Sequence, residues 1–303
     1  MQGNTVTGVG ADRDWGADKS TTTQAGLEFR FQVANFTAAD IAGQFNAARA
    51  LDPTIKEKLI MPSQADWDLM DANDKALFLV NSERCARGIM PLSGSYSMLV
   101  DSADTYSKVM SASGNLSHTE PAGSGTDKEA AIAGRMTAVG VDTASGGNAD
   151  FIEQNESLAF VQASAVWPSS SPGARNTLKE VEARAVYNWL YDDIQDSSTT
   201  GYGHRTHLLR NKYEDNSGNA GEEGLFGLAT EINTDRSDTV EPNIQLHTQA
   251  WVTVHTFDPN GTFNMGAITS PPVIYGPKSQ ADCGSGTYTE SVDANGSNTS
   301  TCE

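Results

Sequence analysis

Hydrophobic and polar positions along the chain change period several times, and each change predicts an element. LEFRFQVANF, from Leu27 to Phe36, alternates apolar and polar side chains, the pattern of a half-buried strand. TAADIAGQFNAARAL then switches to helical spacing through Ile41, Phe45 and Ala48, and must stop before Pro53. Ser63 is placed to cap a helix over ADWDLM, and Asp71 or Asn73 to cap a longer one, DKALFLVNSERCARG. Its Leu77, Val80, Arg84 and Arg87 recur at helical spacing, and Gly88 ends it. SMLVDSADTYSKVMSASG carries a stripe of Leu99, Ala103, Tyr106, Val109 and Met110 and stops at Gly114. A short helix is expected around AAIAGRM, followed by a Gly-rich loop and the segment FIEQNESLAFVQ.

Another helix, capped near Asn176 or Thr177, runs through LKEVEARAVYNWLYDDI with Leu178, Val181, Ala185 and Trp189 on one face. The next position on that face is Asp192, a carboxylate that interrupts an apolar stripe. LFGLATEI (Leu225 to Ile232) and LHTQAWVTVHTF (Leu246 to Phe257) read as strands separated by the turn-rich DRSDTVEPN. They suit a small antiparallel sheet between helices. Residues 1 to about 25 lack periodicity and read as an extended arm, and no internal repeat is visible at solenoid or propeller periods.

With 303 residues the chain can bury a substantial core. The pattern divides it into an N-terminal arm and extension (1–62), a main domain (63–257) and a C-terminal tail (258–303). The strand and helix before residue 63 offer too little apolar surface to stand alone. Charge narrows the partners: 39 acidic against 20 basic side chains give a net charge of −19. Such a field repels phosphate backbones and anionic headgroups, which excludes nucleic acid and polybasic membrane docking, and it is compatible with cation binding. No apolar run approaches the roughly 18 residues needed to span a bilayer, so no transmembrane segment is expected. The start, MQGNTVTGVGADRDWGADKS, lacks the basic and apolar regions of a secretion signal, so either none existed or it has been removed. Cys283 and Cys302 bracket CGSGTYTESVDANGSNTSTC, which has no hydrophobic run to hold it, and a disulfide between them is the natural staple, implying an oxidising compartment. Cys85 is left over inside an apolar-periodic helix, as a buried thiol.

Of five histidines, two stand in settings that suggest chemistry. His204 lies between Gly203 and Arg205 in GHRTHLLRNKY, and His118 ends the LSH that follows the Tyr106 helix. His207, His247 and His255 are assigned to structure, the last two by their alternation with Trp251 and Val254. No serine sits in a Gly-x-Ser-x-Gly elbow, and Cys85 has no evident histidine partner, so a nucleophilic hydrolase is disfavoured. The loop from Lys212 to Gly224 places Asp215, Ser217 and Asn219 like a calcium loop, but has Ala220 where glycine belongs and Phe226 in place of the closing glutamate.

The order of these pieces resembles the CAP superfamily (cysteine-rich secretory proteins, antigen 5, pathogenesis-related proteins), in particular its bacterial SCP-like members. The likeness rests on FLVNSERCARGIMPL at Phe78 to Leu92, YSKVM followed by GNLSH, NESLAF, the helix ending YNWLYDD, and GHRTHLL, and it covers about residues 63 to 257. It implies an α+β fold, a three-layer α-β-α sandwich with a small antiparallel central sheet, flanked here by N- and C-terminal extensions, in a secreted, extracellular protein. It also implies a cleft of two histidines and two acids, which fall on His118, Glu156, Asp192 and His204, the candidate catalytic tetrad. The chain departs from the pattern in having aspartate for glutamate at Asp192, with Asp193 as the neighbouring alternative. Arg205 stands where many eukaryotic members have an aromatic residue, and the dense cysteine pattern is missing.

Neutral imidazoles bind zinc at about 2.0–2.1 Å while carboxylates orient the rings, so His118 and His204 are the candidate metal ligands for a divalent cation, zinc first. Alternatively, a carboxylate beside an imidazole makes a general base. The resemblance leaves three functions open: binding of a cation or a small lipid, sterol or peptide ligand; metal-dependent hydrolysis or proteolysis; and an envelope-associated adhesion or structural module.

Overall fold

The computed structural model describes residues 37–50, 55–89, 91–120, 127–141, 155–167, 178–192, 203–210, 224–240, 243–257, 283, 287–292 and 298–302. The expected strand at Leu27–Phe36 and the N-terminal arm lie outside them.

Four of the described helices start at side chains that satisfy free amides. Helix α1 (Ala38–Arg49) opens on a capping box: Thr37 Oγ1 accepts from Asp40 N at 3.1 Å, and Asp40 Oδ2 accepts from Thr37 N at 2.9 Å. Ser63 caps α2 (Gln64–Leu69) and Asp71 caps α3 (Ala72–Cys85). Helix α4 (Ser97–Ser113) stops at Gly114, whose φ of 72° is the left-handed geometry a glycine reaches without strain. Helix α5 (Lys128–Ala138) is capped by Asp127. Helix α6 (Val181–Tyr187) begins after Glu180, a non-glycine residue at φ 50°, and continues as a π-helical turn over Asn188–Asp192. Helix α7 spans Gly203–Leu208.

Four strands form one sheet: β1 (Gly94–Ser95), β2 (Glu156–Trp167), β3 (Leu225–Val240) and β4 (Asn243–Phe257), in the order β1-β3-β4-β2. The chain is therefore α+β around a small sheet, as expected, but the sheet is mixed rather than antiparallel because β1 runs parallel to β3. The segment DRSDTVEPN is also mostly strand: pairing continues from Arg236↔His247 to Val240↔Asn243. Hydrophobic alternation ends at Ile232, whereas a ladder is made of main-chain bonds and can continue past it.

Alternation along the strands sorts side chains between two faces. On one, Ala159, Val161, Leu228, Ala250, Val252 and Val254 join the buried residues of α1, α3, α6 and α7 in a single cluster. On the other, Leu158 and Trp251 pack with Tyr106 and Met110 of α4, while Leu225 and Phe257 pack with Leu99 of α4 and with Ile132 and Met136 of α5. Ile41, Phe45 and Ala48 of α1 belong to the first cluster, and Phe45 meets the Tyr187 and Tyr191 rings edge-on at 5.3 and 6.0 Å. The helix at the N-terminal side of residue 63 is thus packed into the main core.

The tail, expected as an irregular loop, contains an antiparallel hairpin of β5 (Tyr288–Val292) and β6 (Asn298–Cys302), and a bridge between Glu57 and Cys283 ties the tail to the body. Backbone pairing does here what no hydrophobic run could. Cys283 is buried and disulfide-bonded, whereas the Cys302 side chain lies outside the described residues. Cys85 is a free, partly buried thiol whose pKa burial pushes up to about 11, which disfavours the thiolate. Among the described residues no helix is long and apolar enough to cross a membrane.

Candidate functional site

Side chains of the singled-out motifs contact one another. Asn81 clips the segment after α3: its Nδ2 donates to Leu92 O at 3.0 Å, and its Oδ1 accepts from Leu92 N at 2.8 Å. Arg84 Nη1 donates to Leu208 O and Arg210 O, at 2.9 and 3.0 Å, placing a cation on the carbonyl end of α7. Arg205 Nη1 donates to Leu190 O at 3.1 Å, and Arg210 Nη1 to Asn155 Oδ1 at 2.9 Å. The GHR helix is therefore held between α3, the π turn and the first residues of β2.

Glu156, the first residue of β2, is the centre of the site. It is 3% exposed. Its Oε1 lies 2.7 Å from His118 Nδ1, across from the turn that follows α4. Arg135 of α5 grips both oxygens, Nη2 at 2.5 Å from Oε1 and 2.7 Å from Oε2, and Nε at 3.1 Å from Oε2. His255, directly opposite in β4, brings Nε2 to 3.6 Å from Oε2. Burial opposes ionisation of Glu156, but the His118 hydrogen bond and the charge and hydrogen bonds of Arg135 outweigh it and hold the carboxyl below its ordinary range. Glu156 is an ionised, fully engaged acceptor. His255 goes the other way: burial lowers it to about 4 against the pull of Glu156, so it is neutral at pH 7.

Ser102 of α4 approaches the same ring, with Oγ 3.2 Å from His255 Nε2. This is not a nucleophilic triad. Serine and carboxylate address the same ring nitrogen, and Ser102, His255 and Glu156 are all buried.

Ser157 points to the opposite face from Glu156, and there it meets α7. His207 bridges Ser157 Oγ and Thr256 Oγ1, each at 2.7 Å, and burial with the Arg210 charge keeps it well below an ordinary histidine. Its structural assignment agrees with this geometry. His204, one turn earlier, is half-buried with its ring 6.4 Å from that of Trp189, whose Nε1 donates to Leu158 O at 2.9 Å. Of the proposed tetrad, His118 and Glu156 are thus in direct contact, and His204 is placed by Trp189 near the same edge strand. Asp192 ends the π turn; its side chain, Asp193, the His247 side chain and residues 212–223 of the calcium-like loop lie outside the described residues.

Sequence reasoning missed Arg135, which reads as an ordinary basic residue in the last turn of α5, and set His255 aside as a strand residue. The alternation that places His255 on a sheet face was legible; what covers that face was not.

The arrangement suits a ring nitrogen offered outward. With Nδ1 committed to Glu156, a neutral His118 leaves its Nε2 lone pair free, and the His118 side chain is 23% exposed. Glu156 itself has no oxygen to spare for a cation. Among the described residues no group of three or more histidine, cysteine or acidic side chains is arranged to hold a metal ion, so what fits a metal here is one oriented imidazole donor, needing further ligands. Compared with family models, curated proteins and solved structures, the chain finds no match.

Proposed function

We propose that this chain is a secreted CAP-like domain of the SCP type, a three-layer α-β-α sandwich whose cleft offers His118, with His204, to a divalent cation, zinc foremost, or to a small lipid, sterol or peptide ligand. The observation that carries the reading is the His118 Nδ1 to Glu156 contact at 2.7 Å, with Arg135 holding the carboxylate. A carboxylate that takes one imidazole nitrogen orients the other as a metal donor. Support for the CAP-like architecture comes from helices packed on both sheet faces and from the mutual contacts of Asn81, Arg84, Leu92, Leu208 and Arg210. Glu156 is a poor general base, being ionised but with both oxygens engaged, which weighs against hydrolysis through it.

Zinc titration by calorimetry tests the proposal. Wild type is expected to bind, and His118→Ala and His204→Ala each to lose at least tenfold in affinity, as removal of a ligand requires. No heat from wild type overturns the metal reading.

A further inference from the structure

Arg135 does more than neutralise Glu156. It reaches from the last turn of α5 to the turn carrying His118, and Nη1 donates to the His118 carbonyl at 3.0 Å. Its Nε and Nη2 are spent on Glu156, and its plane stacks on Tyr106 with Cζ 3.6 Å from the ring centroid. Tyr106 in turn donates its hydroxyl hydrogen to Ser117 O and accepts from Glu120 N at 3.0 Å. The turn is therefore pinned at three main-chain atoms, Ser117 O, His118 O and Glu120 N, by a stacked arginine–tyrosine pair, while the imidazole is pinned by a carboxylate that the same arginine holds.

We propose that Arg135 is a positioning residue for His118, fixing the backbone directly and the ring through Glu156, so that Nε2 alone is presented to a ligand. The assignment rests on the reading of His118 as the donor of the cleft. A guanidinium is suited to this because its donors point in several fixed in-plane directions and its face can stack; an ammonium is a single point charge that can do neither at once. Arg135 touches no ligand itself.

The test uses the full chain and two variants, Arg135→Gln and Arg135→Lys. Long-range proton–nitrogen spectra of the His118 ring, taken without metal at a pH where imidazole is neutral, report its tautomer. Wild type is expected to hold a single tautomer with the proton on Nδ1. The Gln variant should show both tautomers, and the Lys variant a smaller admixture, with zinc affinity reduced about tenfold to a hundredfold in parallel. A single Nδ1–H tautomer in both variants, with wild-type zinc affinity, would overturn the proposal and leave Arg135 as packing for α5. Should the Gln variant not fold, the Lys variant, which keeps charge and stem, decides alone. If wild type binds no zinc, the metal reading fails, yet the tautomer comparison still decides the role of Arg135.

Discussion

Glu83 is wholly buried, yet it keeps its charge among two arginines and a tyrosine. Its Oε1 accepts from Arg49 Nε at 2.8 Å, its Oε2 from Arg87 Nη1 at 2.5 Å and from the Tyr191 hydroxyl. Burial alone would raise its pKa, but Arg49 and Arg87 hold it below the ordinary range, while burial pushes Tyr191 up to about 12. Because the group joins α1, α3 and the π turn, removing the carboxylate strands two cations in the core. Glu83→Ala is expected to cost about 3–5 kcal/mol in urea unfolding; a loss under about 1 kcal/mol would mean the cluster is not desolvated as drawn. Glu156 is handled in the same manner, but with one partner, His118, whose side chain is partly exposed. The His118 and Glu156 pair was legible from the motif order. Arg135 was not, because an arginine one turn from a helix end is most often a solvated charge, and only the fold says what it reaches.

At the scale of elements, Gly227 sets the distance between α4 and the sheet. It lies opposite His255 in the ladder, and a Cβ there would overlap the backbone and side chain of Leu99. The missing side chain lets α4 settle close enough for Ser102 to reach His255. Gly227→Ala should destabilise by about 1–3 kcal/mol through overpacking. Gly43→Ala, where an added Cβ on α1 meets nothing within 4 Å, should stabilise by about 0.5–1 kcal/mol. Paired denaturant melts check both, and shifts of the same sign would contradict the packing described. Apolar stripes predicted α3 and α4 well because those helices are regular, and Leu77, Val80, Leu99, Ala103, Tyr106 and Met110 are all buried. The stripe that led to Asp192 assumed the same regularity, but the backbone over Asn188–Asp192 is π-helical, and a wider turn shifts every later position around the axis.

Across the whole molecule, buried titrating groups pull stability in opposite directions with pH. His255, lowered to about 4, refuses a proton that the unfolded chain binds near 6.5, so its contribution grows as pH rises between those values. Glu182 behaves oppositely. Burial, with Glu180 beside it, raises it to about 7 against Lys75, whose Nζ is 3.0 Å from Glu180 and 3.5 Å from Glu182. The fold keeps a proton there that the unfolded chain sheds near 4.5, so that contribution is lost as pH climbs through 7. Glu83 and Glu156, both lowered, add stability above the ordinary carboxylate range that disappears as pH falls through their folded values. Melting temperatures of wild type and Glu182→Gln between pH 5 and 8 separate these terms: the variant should gain on wild type as pH rises, and parallel curves would count against the raised carboxyl.

Features set by neighbours in the chain could be read from the amino-acid order alone. Thr37, Ser63 and Asp71 cap helices because their side chains reach amides three residues on, and Gly88 and Gly114 end them because they accept positive φ. The sequence also marked His118, Glu156 and His204 through the order of short motifs. It took the folded molecule to make β1 run parallel, to extend β3 and β4 past their apolar cores, and to bring Arg135 and His255 against Glu156 with Ser102 on the His255 ring. The side-chain contacts around Glu156 and His255 join partners 21 to 153 residues apart, brought together by packing on one face of the sheet, and no local pattern encodes which distant side chain a buried charge will meet.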